Sequence, residues 1–302
     1  MTATLIRPPD ARPPLSVPSR GRGFRRAKSV GATVLIVLSF AIILVPLVLV
    51  VGYVIMRGAA IVDLPFLTES IPLQARSVGP GMGPAVAGTF MITGAATLMA
   101  VPLGIFGGIY LAEYSGRSVF GRIVRFLAEV MTGVPSVVMG LFIYVIWVLN
   151  FGVSAFAGAL SLGCLMLPVV IRTTEEMVRL VPSEQREASY ALGSRKAGTI
   201  GRIVVPVALP GIVSGALLAI ARAAGETAPL LFTILFTNET NTDLFHGPNT
   251  ALSTQIYKNA SSVFEPAQNR AWGAAYTLIV IVFAFTILAR LVTYLFERRR
   301  RP

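Results

Sequence analysis

Apolar residues run through this chain in long unbroken stretches, with polar residues gathered between them. Five stretches of 19 or more residues contain no Asp, Glu, Lys or Arg: Ser29 to Met56, Ser77 to Ala112, Val130 to Ile171, Ile203 to Ala221, and Ala271 to Ala289. A helix of about 20 residues crosses the hydrocarbon core of a bilayer, so each stretch is long enough to span one. The third is 42 residues long, enough for two crossings, and Asn150 with Gly152 supplies a turn between them. The pattern predicts an all-α integral membrane protein of six transmembrane helices. They are placed at about Val30–Met56, Pro84–Ala112, Phe126–Leu149, Gly152–Ile171, Val207–Phe236 and Ala271–Phe296.

Composition agrees with this reading, since 54% of the 302 residues are hydrophobic and only 13% are charged, too apolar a balance for an ordinary soluble domain. The formal charge of +12 suggests nucleic acid until its distribution is considered. Of 26 Lys and Arg, seven precede Val30, three lie between Arg117 and Arg125, six between Arg172 and Arg202, and four form the tail Arg298 to Arg301. The alternate loops, Arg57–Gly83 and Thr237–Arg270, hold four. By the positive-inside rule both termini are expected in the cytoplasm, as an even number of spans requires. No basic stripe with interleaved aromatics is left over, so nucleic acid is not an expected partner.

The expected layout is a disordered basic tail over residues 1–29, a six-helix membrane domain over 30–297 with a cytoplasmic loop at 172–206, and a basic tail over 298–302. The first apolar run is too long for the core of a signal peptide. Cys164, the one cysteine, reads as a small packing residue, and His246, the one histidine, as a solvated loop residue. No metal or cofactor site is expected from them. Glycines at 88, 94, 104, 107 and 108 in the second span, and Gly211 with Gly215 in the fifth, are suited to close helix contacts. Pro102, Pro135, Pro168, Pro210 and Pro229 should bend or interrupt their helices. Residues Ala251 to Tyr257, in the more polar of the two long external loops, suggest a short interfacial helix.

The polar loop after the fourth span holds Glu187-Ala188-Ser189, then Gly193, then Ile203 and Pro206. Pro182 can open a helix there and Gly193 can close it in a left-handed conformation. Ala188, Ala191 and Leu192 offer a small apolar surface among charges, and an ordinary amphipathic loop helix is the plainer reading. The spacing resembles the cytoplasmic coupling loop of ABC-importer permeases, with Ser189 in place of a second Ala and Val205 in place of a Leu. That resemblance implies a MetI-like helical bundle whose short loop helix docks onto separate ATPase subunits. The chain has no Gly-x-x-x-x-Gly-Lys-Ser/Thr phosphate loop, so it is not expected to hydrolyse ATP or to be an enzyme.

Within the fifth span stands Arg222-Ala223-Ala224-Gly225-Glu226-Thr227-Ala228-Pro229. An Arg at bilayer depth costs about 2.5–3.5 kcal/mol on insertion scales, so Arg222 should not face lipid. On a continuous helix Glu226 lies four residues on, on the same face. Either the two neutralise each other, or Arg222 faces a watery pathway and offers planar, multidentate donors to a passing oxyanion. Arg172 and Arg290, near the cytoplasmic ends of the fourth and sixth spans, read as headgroup anchors, and Arg172 also as a guide for an anion. Glu129, within the third span, must be paired, protonated or placed at the interface.

The Arg222 to Pro229 segment, together with Leu167 to Glu176 and Gly133-Val134-Pro135-Ser136, resembles the permease subunits of phosphate-specific ABC importers. The resemblance implies inorganic phosphate as substrate and a location in the cytoplasmic membrane. It also implies a second, related permease, two ATP-binding subunits and an extracytoplasmic phosphate-binding protein as partners. The residues alone imply only a polar or anionic substrate. Sulfate or molybdate carried by the same kind of machine remains open, as does an autonomous channel or secondary transporter.

Overall fold

The computed structural model describes residues 22–79, 81–116 and 118–298. The tail expected to be disordered falls outside these residues as far as position 21, and the chain is helical from Arg22; residues 299–302 of the basic tail also lie outside. All regular structure among the described residues is helical. The chain divides into two compact units, residues 1–53 and 54–302.

Helix α1 (Arg22–Gly58) accounts for the described part of the first unit. From Val30 to Val50 its apolar side chains are almost all exposed, including Leu35, Ile36, Ile42 and Ile43. A helix apolar on every side is suited to hydrocarbon.

The second unit continues with α2 (Leu64–Thr68), α3 (Gly83–Ile109), α4 (Val119–Gly133), α5 (Ser136–Ile143) and α6 (Ala155–Arg179). After them come α7 (Ser183–Ala191), α8 (Val205–Ala224), α9 (Ala228–Thr233), α10 (Leu252–Ala260) and α11 (Glu265–Arg298). Three π-helical turns extend these helices: Tyr110–Tyr114 after α3, Tyr144–Val148 after α5, and Ile200–Val204 before α8. Five helical segments are long and apolar enough to cross a membrane, and a sixth is counted if the bent pair Val119–Gly133 and Ser136–Phe151 is taken as one span.

That pair covers the expected third span, Phe126–Leu149, with wider bounds and with the interruption expected at Pro135. Its halves meet at 107°. Pro135 has no N–H to donate and excludes the helical region for the residue before it, and Val134 is extended, at φ −72° and ψ 128°. The chain stays helical through Phe151, so the turn expected at Asn150 with Gly152 falls at residues 152–154, where Gly152 takes φ 84° and Ser154 caps α6 by accepting from the Ala157 N–H at 3.2 Å. Helix α6 then runs to Arg179, two turns beyond the expected limit at Ile171, so the loop expected at 172–206 begins after Leu180.

Helix α6 is the most enclosed membrane segment. Ala155, Ala159, Leu162 and Met166 pack with Ile92, Ala96 and Ala100 of α3, Ile220 and Ala223 of α8, and Leu230 of α9. Glycines bring the neighbouring backbones close on both sides. A methyl group on Gly108 would lie 2.5 Å from Thr174 Cβ and 2.7 Å from Ile171 O, and one on Gly104 would lie 2.7 Å from Val170 Cβ. On the other side, one on Gly215 would lie 2.8 Å from Thr173 Cβ. Gly94 has open space beside it. In lipid such close contacts supply much of helix association. Gly108→Ala is therefore expected to destabilise the detergent-solubilised chain by about 1–3 kcal/mol through overpacking, while Gly94→Ala leaves it unchanged or slightly more stable. Thermal unfolding of the two variants in parallel checks both values.

The short helix expected at Ala251–Tyr257 is α10. It is packed inside the unit, with Leu252, Ser253, Thr254 and Gln255 all buried. Its polar groups bond internally: Gln255 donates to Thr250 Oγ1 at 2.9 Å, Asn259 to Gln255 O at 2.9 Å, and the Leu252 N–H to Thr89 Oγ1 at 2.9 Å. Burial of polar groups is tolerated when partners are supplied in this way.

Candidate functional site

Arg222 sits in the last turn of α8, where the helix ends at Gly225, and α9 starts three residues later with Pro229 in its first turn. The fifth span is thus two helices with a break at Gly225-Glu226-Thr227, and Glu226 lies outside α8. Even so, Arg222 Nε stands 3.7 Å from Glu226 Oε1. At that distance the charges attract but do not form a hydrogen bond. The Arg222 side chain is 77% exposed and that of Glu226 22%. Among the described residues no hydrogen bond engages the guanidinium, so its N–H fork is available. Glu226 is held from another direction, since its carbonyl accepts from Ser253 Oγ at 2.9 Å. Leu165, Met166 and Val169 of α6 line a small recess of about 20 Å³ beside the pair.

Arg172 is not part of that recess. It stands 3.9 Å from Glu129, which supplies the pairing expected for this carboxylate. Both line a cavity of about 180 Å³ with Arg125, Glu175, Glu176 and Arg179. Glu175 is nearly buried and accepts from Arg125 Nε at 2.7 Å and from Arg179. Arg125 also donates to Leu111 O and Ser115 Oγ, each at 2.7 Å. The cations of this cavity are thus largely engaged by carboxylates and carbonyls. Nothing in the sequence pairs Arg125 with Glu175, 50 residues away.

Pro182 precedes the short helix α7, and Gly193 takes φ 81° just after it. Glu187 and Ala188 are exposed. Ser189 is buried, its Oγ 2.8 Å from Thr199 Oγ1, a bond that joins α7 to the turn leading into α8. An Ala here would leave the Thr199 hydroxyl unpartnered. Ile203 lies half-buried in the π-helical turn and Pro206 half-buried in the first turn of α8. Leu180, Tyr190 and Leu192 are exposed as well, Leu192 at 88%, so this loop presents apolar groups among its charges. Two carboxylate contacts that the sequence did not reveal, Glu113 with Arg186 and Glu175 with Arg125, hold the loop and the helix ends beside it.

Elsewhere His246 is 81% exposed, 3.1 Å from Asp243. The Phe245 backbone N–H, at 2.8 Å, is the main cause holding the Asp243 carboxyl below its ordinary range. No group of three metal-ligating side chains occurs among the described residues.

Residues 104–302, which contain the helix break and α7, match the family of binding-protein-dependent transport system inner membrane components. The chain belongs to this family. It is 45% identical over 281 residues to the phosphate transport system permease protein PstA 1 of Mycobacterium tuberculosis (strain ATCC 25618 / H37Rv), covering 92% of this chain and 91% of that one. It is 40% identical over 272 residues to the phosphate transport system permease protein PstA of Yersinia pestis, covering 90% and 92%. Its fold is similar to a chain of the MetNI methionine ABC transporter in an inward-facing conformation, with TM-score 0.56 and 16% identity, covering 71% of this chain and 93% of that one. The MetI-like bundle expected from the sequence is therefore the fold, and the chain is the membrane component of a transport system.

Proposed function

We propose that this chain is the permease subunit of an ATP-driven importer of inorganic phosphate in the cytoplasmic membrane, with both termini and α7 on the cytoplasmic side. The observation that carries the anion is Arg222, whose guanidinium is exposed at a helix break within a span and is only loosely met by Glu226. Relatives named for phosphate transport, 40% and 45% identical along nearly the whole chain, favour phosphate among oxyanions.

The recess beside Arg222, about 20 Å³, holds roughly one water molecule, too little for an anion with four oxygens. A pathway therefore needs a second wall, which a homologous permease subunit would supply. Two ATP-binding subunits would dock on α7, and an extracytoplasmic phosphate-binding protein would deliver the substrate. Arg222 would offer charge-assisted hydrogen bonds to phosphate as it passes, and Glu226, near enough to attract the guanidinium, would keep that hold weak enough for release. Arg172 would meet the anion nearer the cytoplasm when its long contact to Glu129 opens.

Cells lacking this chain, and the same cells with it restored, are compared for uptake of labelled phosphate under excess sulfate or molybdate. Restored uptake that resists both competitors is expected. Uptake lost to one of them reassigns the substrate, and uptake indifferent to the chain overturns the proposal.

A further inference from the structure

Glu113 follows the second apolar run immediately, in the π-helical turn after α3, and π-helical turns are often found where function requires a local change of register. Its side chain is 8% exposed. Arg186 of α7 donates to one oxygen of this carboxylate through Nε at 3.1 Å and Nη2 at 2.8 Å. Nη2 also donates to Val178 O at 2.8 Å, and Nη1 to Val181 O. Val178 lies in the last turn of α6 and Val181 just past its end, so the same guanidinium is also tied to that helix end. The Glu113 carbonyl accepts from Lys196 Nζ at 2.6 Å, and the same ammonium lies 4.7 Å from the centre of the Tyr114 ring. One residue at the end of α3 thus holds both sides of the loop, α7 through Arg186 and the turn Lys196–Thr199 through Lys196.

We propose that Glu113 is a positioning residue for energy coupling. It clamps α7 to the ends of α3 and α6, so that a displacement imposed on α7 reaches both membrane helices. Without the clamp, the displacement is taken up at Pro182 and Gly193, where the backbone leaves the helix. This rests on the reading of α7 as the element that docks the ATPase subunits.

The test uses the complete importer in proteoliposomes, with this chain, its partner permease, the ATPase subunits and the phosphate-binding protein, and measures labelled phosphate taken up per ATP hydrolysed. For Glu113→Ala that ratio is expected to fall about tenfold, inside the 5–150-fold range common for coupling between sites, with ATPase subunits still bound and ATP still hydrolysed. Glu113→Gln, which keeps the shape and an acceptor but loses the charge, should fall less, and it decides the matter if the Ala variant fails to assemble. A residue that only stabilised the fold would lower both activities together, and a constant ratio with ATPases bound therefore overturns the proposal while leaving the docking surface standing. If Leu192→Asp leaves the ATPases bound, the docking reading fails and the clamp fails with it.

Discussion

In the Arg222→Gln variant, phosphate uptake is expected to fall at least about 100-fold, with the chain still inserted and still assembled with its partners. Hydrogen bonds to charged groups contribute about 1.5–3 kcal/mol each, and 1.4 kcal/mol is a factor of ten, so losing two such bonds to an anion already exceeds that effect. The 3.7 Å contact with Glu226 allows a decisive comparison. If Arg222 served only to neutralise Glu226, converting both residues to Gln would restore uptake, because no charge would be left unpaired. If Arg222 acts on the substrate, the double variant stays inactive. Recovery of uptake in the Arg222→Gln, Glu226→Gln double variant would remove Arg222 from the pathway.

Leu192→Asp should release the ATPase subunits from the complex, with at least about a 100-fold loss of affinity and complete loss of uptake. Leu192 is 88% exposed, one turn on from the exposed Ala188, so the substitution removes nothing from the core and the chain should unfold at its usual temperature. Burying a Leu side chain stabilises an interface by about 1.5–3 kcal/mol, and placing a carboxylate in the same position adds a desolvation cost of several kcal/mol. Co-purification of the ATPases with tagged permease is the measurement. Retention of both subunits would mean that they bind elsewhere.

Apolar runs made most of the helices legible, because a span must satisfy its backbone internally and its side chains must suit lipid. Pro229 was expected to interrupt the fifth span, but the break comes before it, at Gly225-Glu226-Thr227, where the sequence was read as continuous helix. The 107° bend at Val134-Pro135 was not legible in degree, because hydropathy records which residues enter the membrane but not the direction of the backbone. The length of α6 was missed for a different reason: residues Arg172 to Glu176 are polar yet helical, and Glu175 is stabilised by Arg125, a residue supplied from another part of the chain. The Glu113–Arg186 contact joins residues 73 apart and has no local signature. Helix α10 was legible as a short helix but its burial was not, because its hydrogen bonds close on one another and on a residue of α3 far away in the chain. At the candidate site the sequence identified Arg222 and Glu226, but not the Ser253 hydroxyl that holds the Glu226 carbonyl.

The glycine contacts of α6 also constrain how such a chain can diverge in descent. Because a methyl group on Gly108 would meet Thr174 Cβ and the Ile171 carbonyl oxygen, and one on Gly215 would meet Thr173 Cβ, trimming a threonine to Ser or Ala makes no room, and a larger residue at either glycine requires the helix backbones to move apart. Each contact is therefore inherited as a property of the helix spacing: the threonine can lose volume and leave a tolerable gap, whereas the glycine can gain volume only at the cost of the close approach itself.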